Sequence, residues 1–374
     1  MTDSLTPLYR RIVLKLGTST LTEGGARLAP PRLIALAQQL AALHQHGCEV
    51  LLVSSGAVAA GRAALNFPTL PRAIPAKQML AAVGQPRLMA LYTQLFGFYN
   101  LNVAQILLTR ADLTDRRRYL NARNTLSALL HQRVIPIINE NDTLATEEIR
   151  VGDNDNLSAL VASLIDADLL VLLTDQPGLF TADPRSDPNA QLVTRVESAE
   201  IPPELWQAAG GSQSGLGTGG MFTKLQAADI ARRSGVTVLI AAGTLPDVAL
   251  NAAFGRAPGT CFAPIVSALE SRKRYILAGG GPSGTLYADA GAVRAIQSGS
   301  SLLPVGVQRL DGNFERGDSV RILAPDGREV ARGLVNYASA DLRRICTRKS
   351  AEIEALLGHH YGDEVIHRSN LVLM

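Results

Sequence analysis

Short runs of Val, Ile and Leu alternate with longer amphipathic stretches through the first 260 or so residues. RIVLKLG (11–17) is followed by PRLIALAQQLAALHQHG (31–47), and CEVLLVSSG (48–56) by AVAAGRAAL (57–65). The alternation continues through NVAQILLT (102–109), RRYLNARNTLSALLHQR (117–133), VIPIINEND (134–142), NLSALVASLIDA (156–167) and DLLVLLTD (168–175). It closes with KLQAADIARRSG (224–235) and VTVLIAAG (236–243). The apolar runs are continuous, which is the pattern of strands covered on both faces. Strands and helices in alternation predict an α/β protein, a mainly parallel sheet between helices in a three-layer αβα sandwich. Ligands in such sheets gather at the carboxyl ends of the strands, so the residues just after each run are the first candidates for chemistry.

Beyond the charged ESRKR stretch (270–274) the pattern changes to short strands and turns, GTLYADAGAVRAIQSGSSLLPVGV (284–307) and GNFERGDSVRILAPDGREVARGLVNYAS (312–339). Asp326-Gly327 between alternating runs predicts a hairpin turn. A small, β-rich, barrel-like domain is therefore expected over 272–374, after a first domain over 1–265.

Composition alters this picture little: 374 residues, 47% hydrophobic and 18% charged, suit one large and one small globular domain. Charge adds one detail. From Arg272 onward there are 14 Lys and Arg against 11 Asp and Glu, whereas the two balance at 22 each before it. That excess is weaker than a nucleic-acid footprint usually carries, and no base-stacking aromatic cluster is visible in the second domain, which argues against nucleic acid as the main partner. Cys48, Cys261 and Cys346 lie far apart, without metal-ligand or disulfide spacing, as expected of a reduced cytoplasm. No signal peptide is expected, and Asp166 and Asp168 interrupt the longest apolar stretch, so no membrane span is expected either.

The strand ends are unusually polar. Lys15 is the one charge inside the first run and is followed by Gly17, Thr18 and Ser19; an ammonium in a buried strand needs an anion, a phosphate or a carboxylate partner. Ser54, Ser55 and Gly56 precede a helix, where they would either cap it or bind an anion. The densest group is Asn139, Glu140, Asn141 and Asp142 with Asp153, Asn154, Asp155 and Asn156, more short polar side chains than a turn and a cap require. Carboxylates for an ammonium, with amides and a helix start for a carboxylate, together describe an amino-acid pocket. Thr174 and Asp175 end another strand and suit an adenine or a ribose, with Pro177-Gly178 turning the chain beyond them.

GLGTGGMFTK (215–224) half-matches several nucleotide signatures. Lys224 is followed by Leu225, which fails the Walker pattern, and Gly215, Gly217 and Gly220 follow ELWQAAGGSQS, read as a polar loop rather than a strand. What remains is a mobile Gly/Thr loop at a helix start, offering N–H groups and one ammonium. The six histidines are scattered, with His44, His46 and His131 in helical stretches, and no nucleophile sits beside a base. Two lysines, glycine turns and an Asp suit direct phosphoryl transfer.

KLGTS, SSGA, KQMLAAVGQ, LLTRAD, NARNTL, INEND, VGDNDNLSA, LLTDQPGLF, TADPRSDP and GTGGMFTKLQAA, in this order, resemble the amino acid kinase family, in particular its branch that phosphorylates the side chain of L-glutamate. DAGAVRAI, GSSLLPVGV, GNFERGD and ARGLVNY resemble a PUA domain. The resemblance covers almost the whole chain. It implies ATP and Mg2+ as cofactors, L-glutamyl 5-phosphate as product at the start of proline synthesis, feedback inhibition by proline, and delivery of the acyl phosphate to glutamate-5-semialdehyde dehydrogenase. A cytoplasmic homo-oligomer is also implied. Carried over onto this chain, Lys15 and Lys224 neutralise the transferring group and Asp155 orients them. Lys15, Gly17, Thr174, Asp175 and the segment Thr218, Gly219, Gly220, Met221, Phe222, Thr223 and Lys224 hold ATP, with Lys224 delivered by loop closure. Ser55, Asp142 and Asn154 hold glutamate. Phe222 and Phe180 stand where the family leads one to expect a small polar residue and a tyrosine.

Two alternatives stay open on these residues. One is a kinase of another amino acid or N-acetylamino acid on the same fold; an acetylated substrate would not need Asp142 for an ammonium. The other is RNA binding or regulation through the second domain, which the kinase reading makes accessory, so that a chain ending near Glu270 is expected to keep activity.

Overall fold

The computed structural model describes residues 6–71, 73–145, 154–210, 220–277 and 281–374. These divide into two compact units, residues 1–114 with 122–268, and 115–121 with 269–374.

In the first unit the described residues form an eight-stranded sheet. Its elements run β1 (Arg11–Leu16), α1 (Thr18–Thr22), α2 (Pro30–Gln45), β2 (Glu49–Ser54), α3 (Ala57–Ala64), α4 (Ile74–Gly97), β3 (Val103–Leu108), α5 (Arg110–Thr114), α6 (Arg116–His131, of which 122–131 belong to this unit) and β4 (Ile135–Glu140). Then follow α7 (Asn154–Leu164), β5 (Leu169–Thr174), β6 (Arg195–Val196), α8 (Pro203–Ala208), α9 (Met221–Arg232), β7 (Thr237–Ala242), α10 (Val248–Ala253) and β8 (Thr260–Phe262). The spatial order is β3-β4-β2-β1-β5-β7-β8-β6, parallel throughout except for the β7–β8 pair. Polar strand ends therefore come together: β1 lies between β2 and β5, with Lys15 opposite Val53 and Leu172.

Side-chain alternation decides which face each residue serves. Ile12, Leu14 and Leu16 join Val50, Leu52, Leu169 and Val171 in a core shared with α2, α4 and α10. Val13 and Lys15 point to the opposite face, where α7 packs against β1 and α9 against α7. Helices α3 and α4 approach closely. A Cβ on Gly61 would lie 1.9 Å from the Leu80 carbonyl oxygen, and one on Gly84 would lie 1.8 Å from that of Ala57. Only glycine permits this contact, which sets α3 and the Ser55-Gly56 turn before it.

One reading of the sequence needs correction. ELWQA is not loop but the short helix α8, started by the proline at 203 with Glu204 in its first turn and anchored by buried Leu205. Six residues are too few for a helical period to register. In the second unit, ESRKR lies within a helix, α11 (Ala268–Leu277).

The second unit continues with β9 (Gly284–Ala288), α12 (Ala290–Gln297), β10 (Val307–Gly312), β11 (Ser319–Leu323), β12 (Glu329–Leu334), α13 (Ser339–Ile345), α14 (Ile353–Leu357) and β13 (Leu371–Leu373). Its strands lie in the order β10-β9-β11-β12-β13, so among the described residues the sheet is open rather than a closed barrel. β11 and β12 pair antiparallel around Gly327, whose φ of +83° suits the expected hairpin turn. The fold also gathers residues that the sequence keeps apart. Tyr361 stands 5.7 Å from Tyr337 and 4.9 Å from His359, ring centre to ring centre, with the Arg316 guanidinium 4.0 Å over its ring. The rings and the guanidinium pack on one another, with Tyr337 fully buried.

Candidate active site

A cleft of about 230 Å³ opens at the carboxyl end of the sheet, lined by Thr18, Ser55, Gly56, Lys77, Asn139, Glu140, Asp142 and Asn154 among others. Ser55 follows β2, Asn139 and Glu140 end β4, and Asn154 opens α7, so two strand ends and one helix start converge. Ser54 and Ser55 do not cap α3; its N-cap is Gly56, at φ +100°. Instead the Ser54 hydroxyl pairs with the Tyr92 hydroxyl at 2.7 Å, and Ser55 Oγ accepts from Asn154 Nδ2 at 2.9 Å.

Behind the cleft lies a buried charge cluster. Asp155 is fully buried, with Oδ1 2.5 Å from Lys15 Nζ and Oδ2 3.3 Å from Lys224 Nζ. Thr223 Oγ1 donates to the same Oδ2 at 2.7 Å. Each lysine is 5% exposed. Burial by itself would raise the Asp155 pKa, but the two ammonium groups and the hydrogen bonds outweigh it and hold the carboxyl below its ordinary range. Burial dominates at Lys224, whose pKa is lowered despite Asp155. One buried carboxylate thus faces two ammonium groups. A Cβ on Gly17 would stand 3.4 Å from Lys15 Nζ, so the missing side chain leaves room beside that ammonium.

Lys224 sits in the first turn of α9 with its Nζ on Asp155. Gly220 is the N-cap of α9, followed by Met221, Phe222 and Thr223. Phe222 packs edge-on against Trp206 of α8 at 5.5 Å, which accounts for an aromatic residue at that position. Thr174 and Asp175 end β5 side by side, Thr174 Oγ1 donating to Asp175 Oδ1 at 3.0 Å. Asp142 lines the cleft half-buried, and burial pushes its pKa up to about 6. Asp153, Gly215, Gly217, Thr218 and Gly219 lie outside the described residues.

Lys77, Gln85 and Gln105 were not singled out from the sequence. Lys77 lines the cleft, and Gln85 and Gln105 line an adjoining hollow of about 270 Å³ that shares Glu140 and Asp142 with it. Helical spacing on α4 gave no sign that Lys77 and Gln85 face a strand end. Among the described residues no group of three or more His, Cys, Asp or Glu is gathered to hold a metal ion. No helix among them is long and apolar enough to cross a membrane.

A parallel sheet with a two-lysine, one-aspartate cluster at its carboxyl end defines a phosphoryl-transfer fold, and residues 10–242 match the sequence model of the amino acid kinase family. Residues 284–357 match that of the PUA domain. The chain is 57% identical over 367 residues to glutamate 5-kinase of Shewanella amazonensis, covering 98% of this chain and 96% of that protein. It is 55% identical over 365 residues to glutamate 5-kinase of Deinococcus radiodurans, covering 97% and 100%. Glutamate 5-kinase of Photobacterium profundum is 53% identical over 369 residues, covering 98% and 97%. The chain therefore belongs to the glutamate 5-kinases of the amino acid kinase family.

Proposed function

We propose that this protein transfers the γ-phosphoryl group of ATP to the side-chain carboxylate of L-glutamate, forming L-glutamyl 5-phosphate and ADP in the first step of proline synthesis. The observation that carries this reading is the pairing of Lys15 and Lys224 on one buried carboxylate beside an amino-acid-sized cleft. Full-length similarity to glutamate 5-kinases supports it.

The reaction brings two anions together, a carboxylate oxygen attacking the γ-phosphorus as the bond to the ADP oxygen breaks. Repulsion is the barrier, and fixed cations lower it because they are already in position when charge builds on the transferring oxygens. Lys15 and Lys224 supply that charge, and Asp155 keeps two like charges close together. Thr174, Asp175, Gly17 and residues 218–224 hold the nucleotide. Ser55, Asp142 and Asn154 hold glutamate, with Asp142 facing its ammonium. Mg2+, if brought in on the ATP phosphates, would offset their negative charge; Asp155 is committed to the lysines and Thr223.

The same reading assigns proline as feedback inhibitor at or overlapping the glutamate pocket. It also makes the enzyme a cytoplasmic homo-oligomer that passes its short-lived acyl phosphate to glutamate-5-semialdehyde dehydrogenase. The kinase domain spans 1–265, and the PUA domain, 272–374, is accessory, with nucleic acid not a main partner.

Hydroxylamine traps acyl phosphates, so hydroxamate formation from ATP, Mg2+ and L-glutamate, with aspartate and N-acetylglutamate in parallel, tests the reaction directly. Signal with glutamate alone is expected, and absence of signal with all three from folded, ATP-binding protein overturns the proposal. Lys224→Ala is expected to lower kcat by about a hundred- to a thousand-fold with glutamate affinity little changed. Near-normal turnover would remove Lys224 from the mechanism.

A further inference from the structure

Asn154, at the start of α7, is held by its amide nitrogen alone. Nδ2 donates to Ser55 Oγ at 2.9 Å, Asn139 Oδ1 at 3.1 Å and the Ser54 carbonyl at 3.4 Å. Its buried Oδ1 has no hydrogen-bond partner among the described residues. A buried acceptor left open is costly, and in a cleft it marks where a ligand's donor belongs.

The amides behind it decide this orientation. The Glu140 backbone N–H donates to Asn139 Oδ1 at 2.9 Å, and because a backbone N–H can only donate, Asn139 must turn its oxygen that way. Asn139 Nδ2 then needs an acceptor and finds Gln85 Oε1 at 2.9 Å. Gln85 Nε2 in turn donates to Gln105 Oε1 at 3.2 Å. Asn139 is 2% exposed and Gln85 9%, so water cannot readily replace either bond. The chain of bonds links Gln105 on edge strand β3, Gln85 on α4 and Asn139 on β4 to Asn154 at the cleft, its polarity set at Asn139 by the Glu140 N–H.

We propose that Gln85, backed by Gln105, is a positioning residue that determines substrate recognition. It anchors the Asn139 nitrogen so that the Asn139 oxygen stays in place to accept from Asn154 Nδ2, leaving Asn154 Oδ1 for an N–H donor of the substrate, the ammonium of a free amino acid. The inference rests on the assignment of Asn154 to glutamate binding made above.

The test compares Gln85→Leu, Gln85→Glu, Gln105→Leu and Asn154→Ala in the full chain by hydroxamate formation, with thermal melting of each variant. Gln85→Leu strands the Asn139 amide nitrogen in a dry site and should raise the KM for glutamate about ten-fold, with kcat and the KM for ATP within about two-fold. Gln85→Glu keeps an acceptor for that nitrogen and should restore the glutamate KM to within about three-fold of the parent. Gln105→Leu, at an exposed position, should fold regardless and raise the glutamate KM about two- to three-fold. If Asn154→Ala weakens glutamate binding while the Gln85→Leu and Gln105→Leu variants do not, the relay is overturned. Equal loss in kcat and in both KM values for Gln85→Leu, with no rescue by Gln85→Glu, also overturns it. An unchanged glutamate KM in Asn154→Ala overturns the assignment beneath it.

Discussion

Replacing Asp155 by Asn keeps the size of the side chain and removes only its charge, in a place where two lysines depend on it. At 2.5 and 3.3 Å, and with an effective dielectric of about 20, the two attractions amount to about 7 and 5 kcal/mol before desolvation. Most of that offsets the burial of three charged groups, so removal of the shared partner should cost about 3–5 kcal/mol, the range for breaking a buried pair. For a domain of this size that is a fall in Tm of about 10 °C. Catalysis should suffer separately. Without the carboxylate the lysines repel each other, one swings away or loses its proton, and kcat should fall about a hundred- to a thousand-fold, the range for losing one preorganised charge-stabilising group. Hydroxamate formation at saturating ATP and glutamate gives kcat, and calorimetry gives Tm. The pH dependence has a defined sign: the Asp155 pKa lies below its unfolded value, so its contribution to stability is full above the ordinary aspartate range and is lost as pH falls through the folded value. Asp155→Asn should therefore flatten the acid limb of stability. A variant with kcat within three-fold of the parent and an unchanged Tm would refute the view that one carboxylate organises both lysines.

Asp142, with its pKa near 6, should bind glutamate more tightly as pH rises through that value and the carboxylate forms, while the ligand-free protein loses stability over the same interval; Asp142→Asn should raise the glutamate KM and abolish its pH dependence between about 5 and 7. Gly84→Ala forces a methyl group into the Ala57 carbonyl and should destabilise the kinase unit by about 3 kcal/mol, read as a lower Tm. Trp206 is the only tryptophan in the chain and touches Phe222, two residues before Lys224, so its fluorescence should change on ATP binding, and Phe222→Ser should abolish most of that change. A chain ending at Glu270 should retain kinase activity, and a folded but inactive truncation would make the second domain part of the catalytic unit.

Much of the site could be read from the sequence because it sits where local patterns end. Continuous apolar runs mark central strands, a parallel sheet places its ligands at their carboxyl ends, and Lys15, Ser55, Asn139, Asp142, Asn154 and Thr174 each stand within a residue or two of a strand end or helix start. These are short-range facts, encoded in stretches of fewer than about ten residues.

Only the tertiary structure decided which of these residues meet. Asp155 lies 69 residues from Lys224, and the two touch because α7 and α9 pack on the same face of the sheet. Gln85 and Gln105 looked like ordinary polar positions until the strand order set β3 and β4 side by side beneath α4. Gly61 and Gly84 matter because two helix backbones nearly touch, Trp206 because a six-residue helix too short to show a period carries it against α9, and Tyr361 because the second unit folds residues 316, 337 and 359 around it. Periodicity and turn chemistry are properties of neighbours along the chain, so the sequence by itself determined the strands, the helices and the polar residues at their ends. Contacts across 20 to 150 residues depend on strand order and helix packing, which balance the whole core at once, and those contacts made the polar residues into a site.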